Sequence, residues 1–413
     1  MRFSSLIASR LGFKSAENKK SAPGVIVGYI GVALAIAIML MAIAVVNGFK
    51  KEIKNKLVGF NAEITLSATN HAGETEGIRL TDTLRNLISD IAPEAEITLT
   101  LRQPAIFKTD NDFQGIILKG IDSSINQKFY TDNLAEGHIP NEADGANSVM
   151  ISTVTASRLG LKSGDKILTH FFDGNKIRTR NLLITGLFDT HFHEFDNAIA
   201  FSTMEMLQKL CMMDSISGTS VEIRSIGIEH TGLKAAQLSS ALFEEMIQNT
   251  EKPTSYQIST IEQTCRQYLN WLSLLDTNVV VIIILMACVA SFTLVSSLFI
   301  IILERVNTIG LLKALGATNK QIRRIFIYMT QRLVIRGLII GNILALGLVW
   351  LQSKFHFLPL DADAYYLNYV PVNISWQTTL TVNIIAIAIS LLVLILPSHI
   401  IATLSPASTL RYE

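Results

Sequence analysis

The chain has 413 residues, of which 49% are hydrophobic and only 17% charged, with a formal net charge of +1. Soluble domains carry about 25% charged residues, so membrane-spanning segments are expected. No basic cluster interleaves with aromatics, which excludes a nucleic-acid surface. The cysteines Cys211, Cys265 and Cys288 have no CxxC spacing, which excludes a zinc site or a disulfide framework. A Cys211–Cys265 bridge stays open if both lie outside the cytoplasm.

Residues 1–20 place Phe3, Leu6, Ile7, Leu11 and Phe13 at helical spacing among Arg2, Arg10 and Lys14, the pattern of an amphipathic helix on an anionic membrane surface. Residues 22–60 follow as a first transmembrane helix and stalk. Pro23 opens it, and Gly24 to Val46 contains no charge. That run is far longer than the 7–15 apolar residues of a signal peptide, so the helix is retained. Asn47-Gly48-Phe49 and a lysine-rich continuation then lead out of the membrane.

Residues 61–258 read as soluble. Strand-like Ala62–Ser67, a helix at about 82–91 capped by Thr81 or Asp82, and a strand at about 95–102 form one β-α-β half, 61–103. The same grammar returns at 220–258: Val221–Arg224, a helix Leu233–Gln248, and Ser255–Ser259. Two such halves point to one split α+β subdomain. The insert between them, 104–219, holds short alternating runs at Gly115–Ile121, Val149–Ser152, Ile167–Phe172, Ile177–Leu187 and Ala198–Ser202. Asp173-Gly174-Asn175 is a hairpin-turn signal between two of these runs. Small helices are expected at about 153–159 and 203–211, the second with a Ser202/Glu205 capping box.

Ser259 and Glu262 give another capping box, from which an unbroken helix is expected through a stalk and second span, 259–303. Val279 to Leu303 is uncharged and spans roughly 37 Å as a helix, enough to cross a bilayer. Residues 304–324 are polar again. Ile309, Leu312 and Leu315, with Leu311 beside them, form an apolar face. Gly316 is a stop, and Thr318 with Gln321 a capping box for the next helix. The pattern fits a lever beneath the membrane and equally a helix resting on headgroups. A third span, 325–353, carries Arg332 and Arg336, which either snorkel or pair inside a bundle, and Gly337 and Gly341 at GxxxG spacing. A loop at 354–375 with Tyr365, Tyr366 and Tyr369 fits an interfacial belt. A fourth span, 376–397, and a tail, 398–413, complete the chain.

Arg305, Lys313, Lys320, Arg323 and Arg324 oppose only Glu304 in the 304–324 loop, which places it, and with it both termini, in the cytoplasm. The fold class expected is a membrane protein with four transmembrane α-helices and a large α+β extracytoplasmic domain between helices 1 and 2. Enzymatic marks are missing. There is no G-x-x-x-x-G-K-[ST] P-loop and no G-x-S-x-G elbow. Ser163-Gly164-Asp165-Lys166 lacks its S-D-N and K-T-G companions, and His191 with His193 lacks an HExxH helix. No catalytic residue and no metal site are expected.

The order of spans, together with E-R-x-x-x-I-G-x-L-K-A-L-G-A at 304–317, resembles the permease superfamily of FtsX, MacB and the Lol lipoprotein-releasing proteins. Asn47-Gly48-Phe49, Ile184-Thr185-Gly186-Leu187-Phe188-Asp189 through Glu194-Phe195-Asp196, and the end Leu404-Ser405-Pro406-Ala407 with Leu410–Glu413 are similar to LolC/LolE-type members. The resemblance implies a permease subunit of a Gram-negative inner-membrane transporter, with 61–258 periplasmic. The split subdomain would be porter-like and the insert sabre-like. The subunit would bind no cofactor itself and pair with a second permease in a homo- or heterodimer. A LolD-like ATPase would hydrolyse ATP and dock on Glu304, Arg305, Ile309, Gly310, Leu311, Leu312, Lys313, Leu315 and Gly316. A lipoprotein would enter from membrane lipid along Val45, Phe49, Trp271, Leu275 and Val279. A LolA-like periplasmic carrier would meet the hairpin Phe171, Phe172, Asp173, Gly174, Asn175, Lys176, Ile177 and Arg178. This hairpin is shorter than the family's hook, which fits a LolE-like role or a homodimeric system. The alternatives are a MacB-like mechanotransmission pump and an FtsX-like relay controlling a cell-wall hydrolase.

Overall fold

Four helices are long and apolar enough to cross a membrane: Val25–Phe60, Arg266–Glu304, Asn319–Phe355 and Trp376–Val393. They come from a computed structural model that describes residues 23–69, 75–122, 127–144, 147–173, 176–248 and 255–394. The expected helix at 1–20, the tail from 398, the Leu404–Ala407 motif and the turn residues Gly174 and Asn175 lie outside the described residues. The chain divides into a membrane unit (Met1–Lys51, Trp271–Pro359, Tyr369–Glu413) and an outer unit (Glu52–Asn270, Leu360–Asn368).

In the membrane unit, the first helix runs Pro23–Phe60 and buries Val25, Val32, Ile36 and Leu40 against Leu294, Leu298 and Ile301 of the second and Leu333 and Leu338 of the third. Small residues allow this approach. A Cβ on Gly341 would lie 2.7 Å from the Ala33 carbonyl oxygen, and one on Gly337 2.8 Å from Val32 Cβ. Gly341→Leu is therefore expected to cost about 1–3 kcal/mol in detergent unfolding. Gly347→Ala, with nothing within 4 Å, should cost nothing. Gly48 of the Asn-Gly-Phe motif has the same role, since its Cβ would meet the Pro371 carbonyl at 2.5 Å. Asn342 and Asn383 exchange amide hydrogen bonds of 2.8 and 3.0 Å between the third and fourth helices. The third helix is one piece from Asn319 to Phe355, longer at both ends than the expected span 325–353.

The outer unit opens with β1 (Ile64–Thr69), the short β2 (Thr75–Glu76) and β3 (Ile78–Arg79), a helix Asp82–Ile91 capped by Thr81, and β4 (Glu96–Thr100). The insert then supplies β5 (Arg102–Lys108), β6 (Phe113–Ile121), β7 (Leu134–Gly137), β8 (Ser148–Ser152), β9 (Lys166–Asp173), β10 (Lys176–Phe188) and β11 (Ile199–Thr203). After a helix Met204–Cys211 come β12 (Ser217–Gly218), β13 (Ser220–Arg224), a helix Thr231–Gln248 and β14 (Ser255–Thr260).

The two β-α-β halves interleave in one sheet, ordered β14-β1-β13-β4, with β2 beside β1. Each neighbouring pair along that order is antiparallel, the arrangement of a split βαβ unit. The insert closes on itself. Its sheet runs β7-β10-β8-β11-β6-β5-β9, and β9 pairs back onto β10. β10 achieves this because its first half pairs with β9 and its second half with β8 and β7. Closure pairs the edges of β9 and β10 that an open sheet would expose and, among the described residues, leaves only the four-residue β7 at the end of the order. Phe107, Leu118, Val149, Phe171, Leu182 and Ile184 fill the interior.

Two caps differ from the sequence reading. Thr203 caps the helix at Met204, because the Ser202 hydroxyl is taken by a 2.7 Å bond to the Ser148 carbonyl inside the sheet. Thr260 and Gln263 form the box expected of Ser259 and Glu262, since Ser259 is still paired with Thr65 in the strand. The helix it starts is only Ile261–Thr264. It breaks at Cys265, and the long helix begins at Arg266, so the expected unbroken run from 259 is interrupted.

Candidate functional site

The polar stretch after the second span folds as a helix Val306–Ala314. Gly316 ends it in the left-handed region at φ +92°, and Ala317 N returns to the Leu312 carbonyl at 2.9 Å. Thr318 and Gln321 form the expected capping box for the third membrane helix. The two sides of the short helix are unlike. Ile309 is 1% exposed and packs with Ile302, Ile322 and Phe326, and Gly310 is buried beside it. Leu311 and Leu315 are 58% and 77% exposed. Leu312, Lys313 and Arg305 are half-buried, while Glu304 and Gly316 are exposed. The surface offered outward is therefore Leu311–Leu315. Ile309, grouped with Leu312 and Leu315 by spacing, faces inward and anchors the helix to its own chain.

The first two helices meet again near the other end of the membrane unit. Phe49 and Trp271 stack edge to face at 5.7 Å, and Lys50 pairs with Asp276 at 2.6 Å. Phe49 and Val279 are buried, Val45 and Leu275 half-buried and Trp271 exposed. The hairpin of β9 and β10 sets Phe172 opposite Ile177, both exposed, while Phe171 is buried in the barrel. The Arg178 guanidinium donates to the Leu210 carbonyl. Asp173 and Lys176 pair as the last rungs of that ladder.

A buried charge network was not singled out by sequence reasoning. Glu222 on β13 and Lys119 on β6 are each 1% exposed in their side chains and lie 2.7 Å apart. Arg102 reaches Glu222 at 3.1 Å and Arg224 reaches it at 2.7 Å. The same cations donate to the end of the first helix. Lys119 bonds the Phe60 carbonyl at 2.8 Å, Arg102 bonds it at 3.1 Å, and Arg224 bonds the Val58 carbonyl. A helix C-terminus leaves carbonyls unpaired and carries partial negative charge, and here the cations meet the Phe60 carbonyl twice and the Val58 carbonyl once. Burial alone would raise the Glu222 carboxyl, but Lys119, Arg224 and Arg102 outweigh it and hold it well below the usual carboxylate range. Burial, with Arg102 and Arg224 adding, lowers Lys119 to about 7 against the pull of Glu222. In the folded strand Phe113–Ile121, burial alternates up to Leu118 and then both faces are buried, Lys119 included.

Asp196, in the Glu194-Phe195-Asp196 stretch, is fully buried and accepts 2.6 and 3.2 Å bonds from the Thr190 hydroxyl and amide. Burial raises its carboxyl to about 6 despite those bonds. A group raised in the folded state adds stability at low pH and loses it as pH rises through the folded value. The loss spans about pH 4 to 7 and, at 1.36 kcal/mol per unit, reaches about 3 kcal/mol. Asp196→Asn is expected to flatten this slope in melting curves taken between pH 4 and 8.

Two family models match the chain. The MacB-like periplasmic core domain covers residues 29–228 and the FtsX-like permease C-terminal domain covers 280–406. The lipoprotein-releasing system transmembrane protein LolC of Xylella fastidiosa (strain Temecula1) is 24% identical, over 93% of this chain and 92% of that protein. LolC of Neisseria meningitidis serogroup B is 22% identical over 93% and 92%. LolE of Haemophilus influenzae is 23% identical over 92% of each. With both models in the order that the spans and the outer domain require, the chain carries the two domains of an FtsX/MacB-like permease and is similar to LolC and LolE along nearly its whole length.

Proposed function

We propose that the chain is the permease subunit of an ABC transporter that extracts lipoproteins from the inner membrane and passes them to a periplasmic carrier. The observation that carries this reading is likeness to LolC and LolE along nearly the whole chain, membrane helices and outer domain together. The chain is a multi-pass inner-membrane protein, with 61–258 on the periplasmic side. Both termini are cytoplasmic, which the five cations of 304–324 against one acid support. ATP is hydrolysed by a separate LolD-like subunit docked on the outward side of the 306–314 helix, and the permease binds no cofactor of its own. A second permease subunit, identical or related, completes the membrane path. The lipoprotein passes the Phe49–Trp271 region between helices one and two, and a LolA-like carrier receives it at the β9–β10 hairpin.

Lifting acyl chains out of a bilayer costs about 0.8 kcal/mol per exposed methylene, so extraction requires both coupled energy and an apolar receiver. Depletion of the protein is the direct test. Outer-membrane lipoproteins are expected to accumulate in the inner membrane within a few generations. Unchanged delivery, in a cell without a redundant copy, would overturn the reading.

A further inference from the structure

The segment joining the third and fourth membrane helices was read as an interfacial loop, yet residues 360–368 group with the outer unit. Its neck is zipped. Val370 N bonds the Leu358 carbonyl at 3.0 Å, Pro359 bridges to Tyr369, and Leu360 N bonds the Asn368 carbonyl at 3.0 Å. Gln352, 3% exposed near the end of the third membrane helix, holds both strands of the neck. Its amide donates to the Val370 carbonyl at 2.8 Å and its oxygen accepts from Leu358 N at 3.1 Å.

Beyond the neck, the strap is fastened to the 189–196 loop of the insert. Tyr366 stacks on buried Phe192 with ring centroids 4.3 Å apart. His193 Nε2 lies 3.0 Å from an Asp363 carboxylate oxygen, and His191 Nε2 lies 2.8 Å from the Asn368 amide. Lys56, near the end of the first long helix, closes the arrangement. Its ammonium donates to the Thr190 carbonyl at 2.6 Å and to the Tyr366 carbonyl at 2.7 Å, one from each loop.

We infer that strap 360–368 is a third mechanical connection to the outer domain, alongside the two long helices, and that Lys56 is its positioning residue. The inference rests on the transport reading above. A zipped neck and a fastened tip leave little slack, so displacement of the third and fourth helices pulls directly on the 189–196 loop. An interfacial loop serving only as a membrane anchor would need neither the neck bonds nor the lysine.

The test uses the full permease with its ATPase partner in lipid nanodiscs. Lys56→Met is expected to speed hydrogen exchange of the 360–368 and 189–193 amides at least tenfold. It should lower lipoprotein release at least fivefold while ATP hydrolysis stays within twofold. Lys56→Arg, which keeps a donor at that place, should restore both. Asp363→Ala, exposed and harmless to folding, should give a smaller change of the same kind. Unchanged exchange in Lys56→Met, or faster exchange with full release, would overturn the inference. If the unsubstituted complex releases no lipoprotein, the transport reading fails instead, and the exchange measurement still decides the fastening.

Discussion

Glu222→Gln is expected to lower the stability of the outer unit by about 3–5 kcal/mol, the cost of removing one partner from a buried ion pair. Glu222 is the only anion in direct contact with Lys119, Arg102 and Arg224 among the ion pairs described. Without it, three cations remain around a buried site, held by the Phe60 and Val58 carbonyls and the Asn61 side chain, with Glu96 acting on Arg224. Lys119→Met should cost less, about 1.5–3 kcal/mol, the worth of a charged hydrogen bond. It leaves Glu222 with two arginines, and it removes the cation that burial already disfavours. Denaturant unfolding of the full chain, followed by near-ultraviolet circular dichroism, gives both values. An equal or larger loss for Lys119→Met would show that the carboxylate is not the centre of the network.

That ordering bears on the architecture. Lys119 lies on the insert, Glu222 and Arg224 on the split sheet, and the carbonyls they hold belong to the helix leaving the membrane. Three segments distant in sequence are thus pinned at one buried point. The cost of burying Glu222 is offset only while its cationic partners surround it, which makes the junction specific in a way that apolar packing is not.

Local signals in the sequence were legible because they are local. The uncharged runs read as spans, Gly316 and Thr318 read as helix punctuation, and the repeated β-α-β grammar read as a divided subdomain whose strands do interleave. The closed barrel was not legible. It depends on the 13-residue β10 changing partners halfway, and each half alone looks like an ordinary strand. The strap was missed for a related reason. Tyr365, Tyr366 and Tyr369 carry the composition of a membrane interface, and only the tertiary position of Phe192 turns Tyr366 into a core contact. In the 306–314 helix, the spacing of apolar residues was right but could not tell which of two apolar sides faces the protein. The neighbouring helix decides that by covering Ile309 with Ile322 and Phe326.

The same asymmetry gives the second large expected effect. Leu311→Asp and Leu315→Asp should each weaken binding of the ATPase subunit by about 2 kcal/mol or more, roughly thirtyfold, while leaving the permease folded. Both side chains are well exposed in the isolated chain, so a carboxylate there meets water until a partner covers it. Burying that charge in an interface carries its desolvation penalty into the binding equilibrium. Ile309→Asp puts the same charge at a 1% exposed position against the third membrane helix, and is expected to lower the melting temperature of the permease itself. Pull-down of the ATPase by each variant, paired with thermal unfolding of the permease alone, separates the two cases. Normal ATPase association by Leu311→Asp and Leu315→Asp would leave the helix as one that rests on lipid headgroups, because the exposed side then has no protein to meet.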